Sequence, residues 1–188
     1  ASGGPFLYKS KKKLLNIKPK YALKHPNWKM GKKISIDSST MMNKIFEYLE
    51  AKKIFKLKQN NIKILIHPDS YIHAIVYFKN GLIKFLAHIP KMIIPISCAL
   101  DTGIKKNLKP TINLKKLNNL NFSYPKQKQF PLLSIINIIP KNDSFFEIIL
   151  IALNDKLVNK YLEGKINYIS ISKNLLFFIK CTYLKKFF

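Results

Sequence analysis

His25-Pro-Asn-Trp28-Lys-Met30-Gly31-Lys-Lys-Ile-Ser-Ile-Asp37-Ser38-Ser39-Thr40-Met-Met-Asn43-Lys44 is the stretch from which the rest of the 188-residue chain is best read outward. Ile34–Asp37 reads as a short strand. Ser38 and Ser39 then offer capping hydroxyls to a helix predicted over Thr40–Phe55. On that helix Met42, Ile45, Phe46 and Leu49 make one apolar stripe, and Thr40, Asn43, Glu47 and Glu50 share an adjacent polar face. One side is built to pack and the other carries chemistry.

A helix start gathers free backbone N–H groups and the positive end of the peptide dipoles, an arrangement that binds anions and phosphate above all. Asn43 adds a neutral donor and Lys44 a point charge within the next turn. Ser2-Gly3-Gly4 is a second donor-rich loop whose glycines let backbone amides approach a ligand. These residues suit a phosphate pocket; ordinary capping by the two serines is the competing account. Glu47 is a hard oxygen donor, but one carboxylate does not make a divalent-cation site, and a solvated surface glutamate is the plainer reading. Trp28 suits either a mobile lid over a ligand or an anchor for its own loop.

Further out, residues 1–35 read as loops around one short helix. Ile62–Ile66 alternates as a strand, and His73–Phe78 and Leu82–Ala87 form a hairpin through Lys79-Asn80-Gly81, with positive φ expected at both central turn residues. Residues 101–125 read as a connection. Phe130–Ile139, Phe145–Tyr161 and Ile169–Ile179 read as helices, although the Ile-Ile-Leu-Ile run at 148–151 also suits a buried strand. The expectation is an α+β protein: a mixed sheet with a hairpin and flanking helices over 1–100, a linker over 101–125, and a small helical domain over 126–188.

Composition narrows the function. The formal charge is +25, and all 34 basic residues are lysine. A site selected for nucleic acid would use arginine's planar fork, and these lysines are spread along the chain rather than gathered in a patch. Lysine, asparagine and isoleucine are abundant together, as codon bias in an AT-rich genome produces. No apolar run reaches the roughly 18 residues needed to span a bilayer, so membrane insertion is not expected. Cys98 and Cys181 have no metal-ligand spacing and read as reduced, buried thiols.

The ordered pattern Ser2-Gly-Gly-Pro-Phe, the His25–Lys44 block, Glu47, Ile66-His-Pro-x-Ser-x-Ile-His73, Asn80-Gly81 and Pro90-x-Met92 resembles the 1-deoxy-D-xylulose 5-phosphate reductoisomerases. That resemblance implies a fold of catalytic α+β domain plus C-terminal helical domain. It implies an NADP-dependent oxidoreductase of non-mevalonate isoprenoid biosynthesis, which isomerises its sugar phosphate and reduces the product to 2-C-methyl-D-erythritol 4-phosphate. It further implies NADPH and Mg2+ or Mn2+ (Co2+ as a third option) as cofactors, a homodimer, and a cytoplasmic bacterial setting with a plastid-type organelle as the other option. Carried over by residue, Ser2, Ser38, Asn43, Lys44 and Trp28 would bind substrate, His25 would be catalytic and lie beside the phosphate, and Glu47 would be both catalytic and one of three metal carboxylates. Trp28 and Met30 would lie on the closing loop, and Met30, Gly31 and Met92 would bind the cofactor, Met92 near the nicotinamide.

Departures set further expectations. No glycine-rich dinucleotide fingerprint occurs in the chain, and the family's Asp-x-Glu metal pair would fall before Ala1, so the chain reads as a piece of a longer polypeptide. By itself it is expected to show no turnover. Ile45-Phe46 replace a Gly-Leu, Lys91 replaces an aspartate, and Asp101-Thr-Gly-Ile-Lys-Lys stands where the family has Trp-Pro-x-Arg. In the last third only Asn154-Asp155 matches an Asn-Glu motif, so the resemblance is expected to fade after residue 95 and vanish after 170. An inactive remnant of the enzyme and a basic nucleic-acid-binding module are the alternative functions.

Overall fold

In a computed structural model, which describes residues 1–24, 30–89, 91–100, 113–142 and 144–181, the chain runs α1 (Lys11–Leu14), α2 (Pro19–Ala22), α3 (Lys32–Thr40), α4 (Met42–Ile54), β1 (Ile72–Tyr77), β2 (Ile83–Ala87), α5 (Ile93–Ala99), α6 (Leu114–Asn118), α7 (Phe146–Leu162) and α8 (Tyr168–Lys180). Short 3-10 helices lie at Gln59–Asn61 and Pro131–Ile138. The architecture is α+β, with helix predominant and a small antiparallel two-stranded sheet.

The chain divides into two compact units. One unit takes Gly3–Ile64 with Pro125–Phe188; the other takes Ala1–Ser2 with Leu65–Tyr124. The reason is the core. Ile36, Met42, Ile45 and Leu49 from α3 and α4 bury in one cluster with Leu132, Ile135, Leu150, Val158, Ile171 and Leu175 from the far end of the chain. Burying such side chains contributes about 1.5–3 kcal/mol each, so an apolar stripe on α4 joins whichever apolar stripes the chain can return to it.

Within this helical unit the expected strand at Ile34–Asp37 is helix α3. A four-residue alternation is too short to specify its period, and here burial against α4 and α7 decides. Ser38 and Ser39 therefore do not cap α4; they lie in the last turn of α3. The break falls at Met41, which takes left-handed φ 65°, ψ 12° between the two helices and is 1% exposed. The helices at 145–161 and 169–179 are present as α7 and α8, so the Ile148–Ile151 run is helical. The segment at 130–139 is wound as a 3-10 helix with Pro131 in its first turn.

Two buried tyrosines lock the helical unit. Tyr161 donates to Ile17 O at 2.9 Å, and Tyr168 donates to Ser39 O at 2.8 Å. Burial pushes the Tyr161 phenol up to about 12, and burial, opposed by the Ser39 hydrogen bond, raises that of Tyr168 as well. A phenol that holds its proton in the fold but releases it near pH 10 when unfolded stabilises the fold below pH 10, and that contribution is lost as pH climbs through the folded value. Denaturant midpoints should thus fall steeply between pH 10 and 12, and Tyr161→Phe or Tyr168→Phe should flatten that fall. Equal slopes for variants and wild type would exclude the two phenols as its origin.

In the hairpin unit, β1 and β2 pair antiparallel with Ile75 opposite Phe85 and Tyr77 opposite Ile83, and the register slips between Ile72 and Ala74. The connection is a three-residue loop in which Gly81 alone adopts positive φ (86°) while the Asn80 side chain accepts from Leu82 N. The turn is thus a one-glycine loop rather than the two-residue Asn-Gly turn expected. The strand expected at Ile62–Ile66 reduces to a single bridge between Ile66 and Ser123. Ala1 is tied in by its backbone nitrogen, which donates to Leu65 O (2.8 Å), and by its carbonyl, which accepts from His67 N (2.6 Å). Ile75, Val76, Tyr77, Ile83, Phe85 and Leu86 are all exposed, so both faces of the ribbon carry apolar side chains. Cys98 is exposed and Cys181 half-buried, both free thiols, which corrects the expectation that both are buried. Among the described residues no helix is long and apolar enough to cross a membrane.

Candidate functional site

The α3–α4 junction is where sequence-predicted residues meet. Ser39 and Thr40 turn their hydroxyls back to Ile36 O (2.7 Å) and Asp37 O (3.2 Å). Ser38, the residue before them, is half-buried. Met41 N–H donates to Ser38 O at 3.3 Å, and Lys44 N–H to Met41 O at 3.1 Å, so the chain reverses its helical phase within three residues. This leaves the Ser38 hydroxyl and the N-terminal amides of α4 on the same short stretch, with Asn43 and Lys44 on the first turn.

Gly4 reaches this junction from the front of the chain. Its φ is +67°, and a Cβ placed there would lie 3.0 Å from both Ser38 O and Ser39 Cα. A side chain would collide with backbone, so the glycine loop packs directly on the end of α3. Gly3 also takes positive φ (+85°), but a Cβ there would meet only the movable Leu7 side chain, 2.6 Å from its Cδ1.

Glu47 is exposed, one turn beyond Asn43. Its carboxylate accepts from Asn43 Nδ2 at 2.6 Å and from the Lys44 ammonium. The two polar residues that would bind phosphate thus also hold the one carboxylate proposed for a metal. Among the described residues no group of three His, Cys, Asp or Glu side chains converges on a common point, so these residues do not make a metal site by themselves.

The remaining predicted residues are dispersed. Gly31 is exposed and precedes α3, accepting from Ser35 N and Ser35 Oγ; Met30 is half-buried beside it. Ser2, half-buried, and Met92, exposed at the start of α5, group with the hairpin unit. His25, Trp28, Pro90 and the segment 101–112 lie outside the described residues. Ile45, where the related pattern has glycine, is fully buried in the core, so its added volume is absorbed there.

Sequence reasoning passed over the support beneath the junction. Asp37 is fully buried; it accepts from Asn154 Nδ2 at 2.8 Å and from Lys33 Nζ at 2.9 Å, and Lys33 also pairs with Asp155 at 3.1 Å. Burial holds the Asp37 carboxyl above its ordinary value, more than Asn154 and Lys33 pull it down. Burial works against Lys33 also, but Lys33 is half-exposed, and its bonds and attraction to Asp37 and Asp155 together raise it. The Asn154-Asp155 dipeptide was the available signal.

An α+β protein with a donor-rich helix junction, an ammonium on the first turn beyond it and a glycine loop packed beneath it is the class that fold and site define. Comparison with known proteins makes this particular. Residues 1–55 match the family model described as the 1-deoxy-D-xylulose 5-phosphate reductoisomerase C-terminal domain, and residues 88–182 match a DXP reductoisomerase C-terminal domain. The chain belongs to the 1-deoxy-D-xylulose 5-phosphate reductoisomerase family, as its C-terminal part. The Pelagibacter ubique (strain HTCC1062) reductoisomerase is 52% identical over 177 residues, covering 94% of this chain and 46% of that one; a Clostridium botulinum (strain Hall) relative is 39% identical over 173 residues, covering 91% and 45%. A crystal structure of DOX-P reductoisomerase in complex with NADPH, fosmidomycin and magnesium superposes with TM-score 0.88 at 33% identity, covering 99% of this chain and 46% of that one. The Zymomonas mobilis enzyme in complex with NADPH gives 0.82 at 32%, covering 95% and 46%. The chain spans about half the length of these relatives. The match through residue 182 corrects the expectation that resemblance vanishes after 170.

Proposed function

We propose that this chain supplies the substrate-phosphate-binding part of a 1-deoxy-D-xylulose 5-phosphate reductoisomerase, whose whole length isomerises that sugar phosphate and reduces the product with NADPH to 2-C-methyl-D-erythritol 4-phosphate. The observation that carries the reading is the left-handed, buried Met41 between Ser38 and Asn43. A non-glycine residue in that conformation costs about 1–2 kcal/mol, and such strain concentrates where geometry serves a ligand. Here it separates the Ser38 hydroxyl and the first amides of α4 from an otherwise continuous helix.

In this reading Ser38, Asn43 and Lys44 grip the phosphate, and Ser2 and His25 are proposed as further residues on the substrate side. Trp28, Met30 and Gly31 belong to a closing segment, and Met92 lies toward the nicotinamide. Glu47 offers one oxygen to a divalent cation such as Mg2+ or Mn2+, whose other ligands come from outside the described residues. Phosphate binding far from the reacting carbons supplies the energy that orients them. Residues 1–100, 101–125 and 126–188 are proposed as catalytic part, connection and helical support. The apolar, doubly exposed hairpin supports a homodimer, since an isolated two-stranded ribbon is marginal in water. The bacterial sources of the relatives support a cytoplasmic location.

The test is a titration of the 188-residue chain with 1-deoxy-D-xylulose 5-phosphate and with inorganic phosphate, followed by amide chemical shifts. Shifts should centre on Ser38–Lys44, and Lys44→Ala should weaken binding about tenfold, as loss of a charge-assisted hydrogen bond does. With NADPH and Mn2+ added, turnover by the chain alone should stay at background. Preferential binding of duplex DNA, falling steeply with salt and unaffected by Lys44→Ala, would replace this reading with that of a basic binding module.

A further inference from the structure

Ser38 sits between two residues that are held from the other end of the sequence. On one side Asp37, fully buried, accepts a hydrogen bond from Asn154 Nδ2 at 2.8 Å, and Asn154 is itself fully buried on α7. On the other side Ser39, 1% exposed, offers its carbonyl to the Tyr168 hydroxyl at 2.8 Å and its own hydroxyl oxygen at 3.1 Å. Tyr168 opens α8, and its ring meets the edge of Phe6 (centroids 5.0 Å apart, planes at 83°) two residues beyond Gly4. One phenol thus touches the end of α3 and the chain that leaves the glycine loop.

We propose that Asn154 and Tyr168 are positioning residues: from α7 and α8 they hold the residues flanking Ser38 and so set the geometry in which the α3–α4 junction receives phosphate. The physical reason is competition for a carbonyl. In an uninterrupted helix Ser39 O would accept the N–H of Asn43, four residues on. The Tyr168 hydroxyl donates to that carbonyl at 2.8 Å and Met41 takes its left-handed turn two residues on, so the Asn43 amide falls among the first N–H groups of α4, which have no intrahelical partner. Asn154 does the companion task. Its amide fixes the Asp37 carboxylate, whose second oxygen is fixed by Lys33, so the last turn of α3 neither rotates nor unwinds. The Asn154 Oδ1 has no partner among the described residues, so the Asp37 bond is the one polar contact orienting that amide.

The inference rests on the reading of the junction as a phosphate site, and the experiment separates the two. The full 188-residue chain, its Tyr168→Phe and Asn154→Ala variants, and a Leu157→Ala control are titrated with inorganic phosphate by amide chemical shift. Leu157 is a buried core residue of α7 whose side chain has no hydrogen-bonding group, so its truncation removes packing without removing a polar contact to the junction. Tyr168→Phe and Asn154→Ala should each weaken phosphate binding about fivefold, the loss that goes with one hydrogen bond. They should also shift the Asn43 amide resonance and speed its hydrogen exchange in the ligand-free chain. Leu157→Ala should lower the melting temperature and leave affinity and the Asn43 resonance in place. Tyr168→Phe keeps its ring packing and remains informative if Asn154→Ala does not fold. Folded variants that bind phosphate within twofold of wild type would overturn the positioning role. A wild-type chain with no phosphate-dependent shift at Ser38–Lys44 would overturn the site itself, and is seen before any substitution is made.

Discussion

Gly4→Ala is expected to lower stability by about 3 kcal/mol, whereas Gly164→Ala lowers it by about 1 kcal/mol. Both glycines adopt positive φ, +67° and +75°, so both substitutions force an L-residue into the left-handed region. They differ in what the new Cβ meets. At Gly164 there is nothing within 4 Å, and the loss is conformational only. At Gly4 the methyl arrives 3.0 Å from Ser38 O and Ser39 Cα, which are backbone atoms at the end of a helix and move only if α3 moves. The added loss is the overpacking cost of a close-packed interior. Paired denaturant curves provide the check, and because the displaced atoms belong to Ser38 and Ser39, phosphate affinity should fall with stability. Equal losses at the two glycines would show that the front loop does not bear on the junction.

Asp37→Ala should lower stability by about 2–3 kcal/mol, and Asp37→Asn by about 1 kcal/mol or less. Alanine strands the buried Asn154 amide without an acceptor and releases Lys33. Asparagine keeps an oxygen for Asn154 and removes the cost of burying a charge, losing only the ion pair with half-exposed Lys33. The pH dependence follows from the raised Asp37 carboxyl. A carboxyl that holds its proton more tightly in the fold stabilises the fold below its unfolded value of about 3.9, and that contribution is lost as pH rises through the folded value. The Asp37→Asn variant carries no such loss, so its stability relative to wild type should improve between pH 4 and pH 7. Urea midpoints at the two pH values measure this; a relative stability that worsens toward pH 7 would mean that the Lys33 pair, not burial, dominates at Asp37.

Much of the candidate site was legible because its residues lie close together in the chain. Ser38, Asn43, Lys44 and Glu47 fall within ten positions, and local helix geometry places Asn43 beneath Glu47 whatever the rest of the molecule does. The hairpin was legible for the same reason, being a contact between near neighbours in sequence. The strand expected at Ile34–Asp37 is helix and that at Ile62–Ile66 a single bridge, because four or five residues of apolar alternation suit either period until something packs against them. The pairs Asp37 with Asn154 and Ser39 with Tyr168 were not legible, since each contact crosses more than a hundred residues.

The sequence by itself determined which groups could meet an anion: the hydroxyl, amide and ammonium donors of the 38–44 block, and the glycines that let a second loop come near. It also carried the family, through an ordered run of motifs too long to arise twice. Only the tertiary structure decided how that block is bent. The apolar stripe of α4 buries against side chains from the C-terminal helices, and the buried amide and phenol they bring satisfy polar groups at the end of α3 that would otherwise prolong the helix. Local sequence sets which helices form; where one helix stops is set by which distant partner takes its last carbonyl.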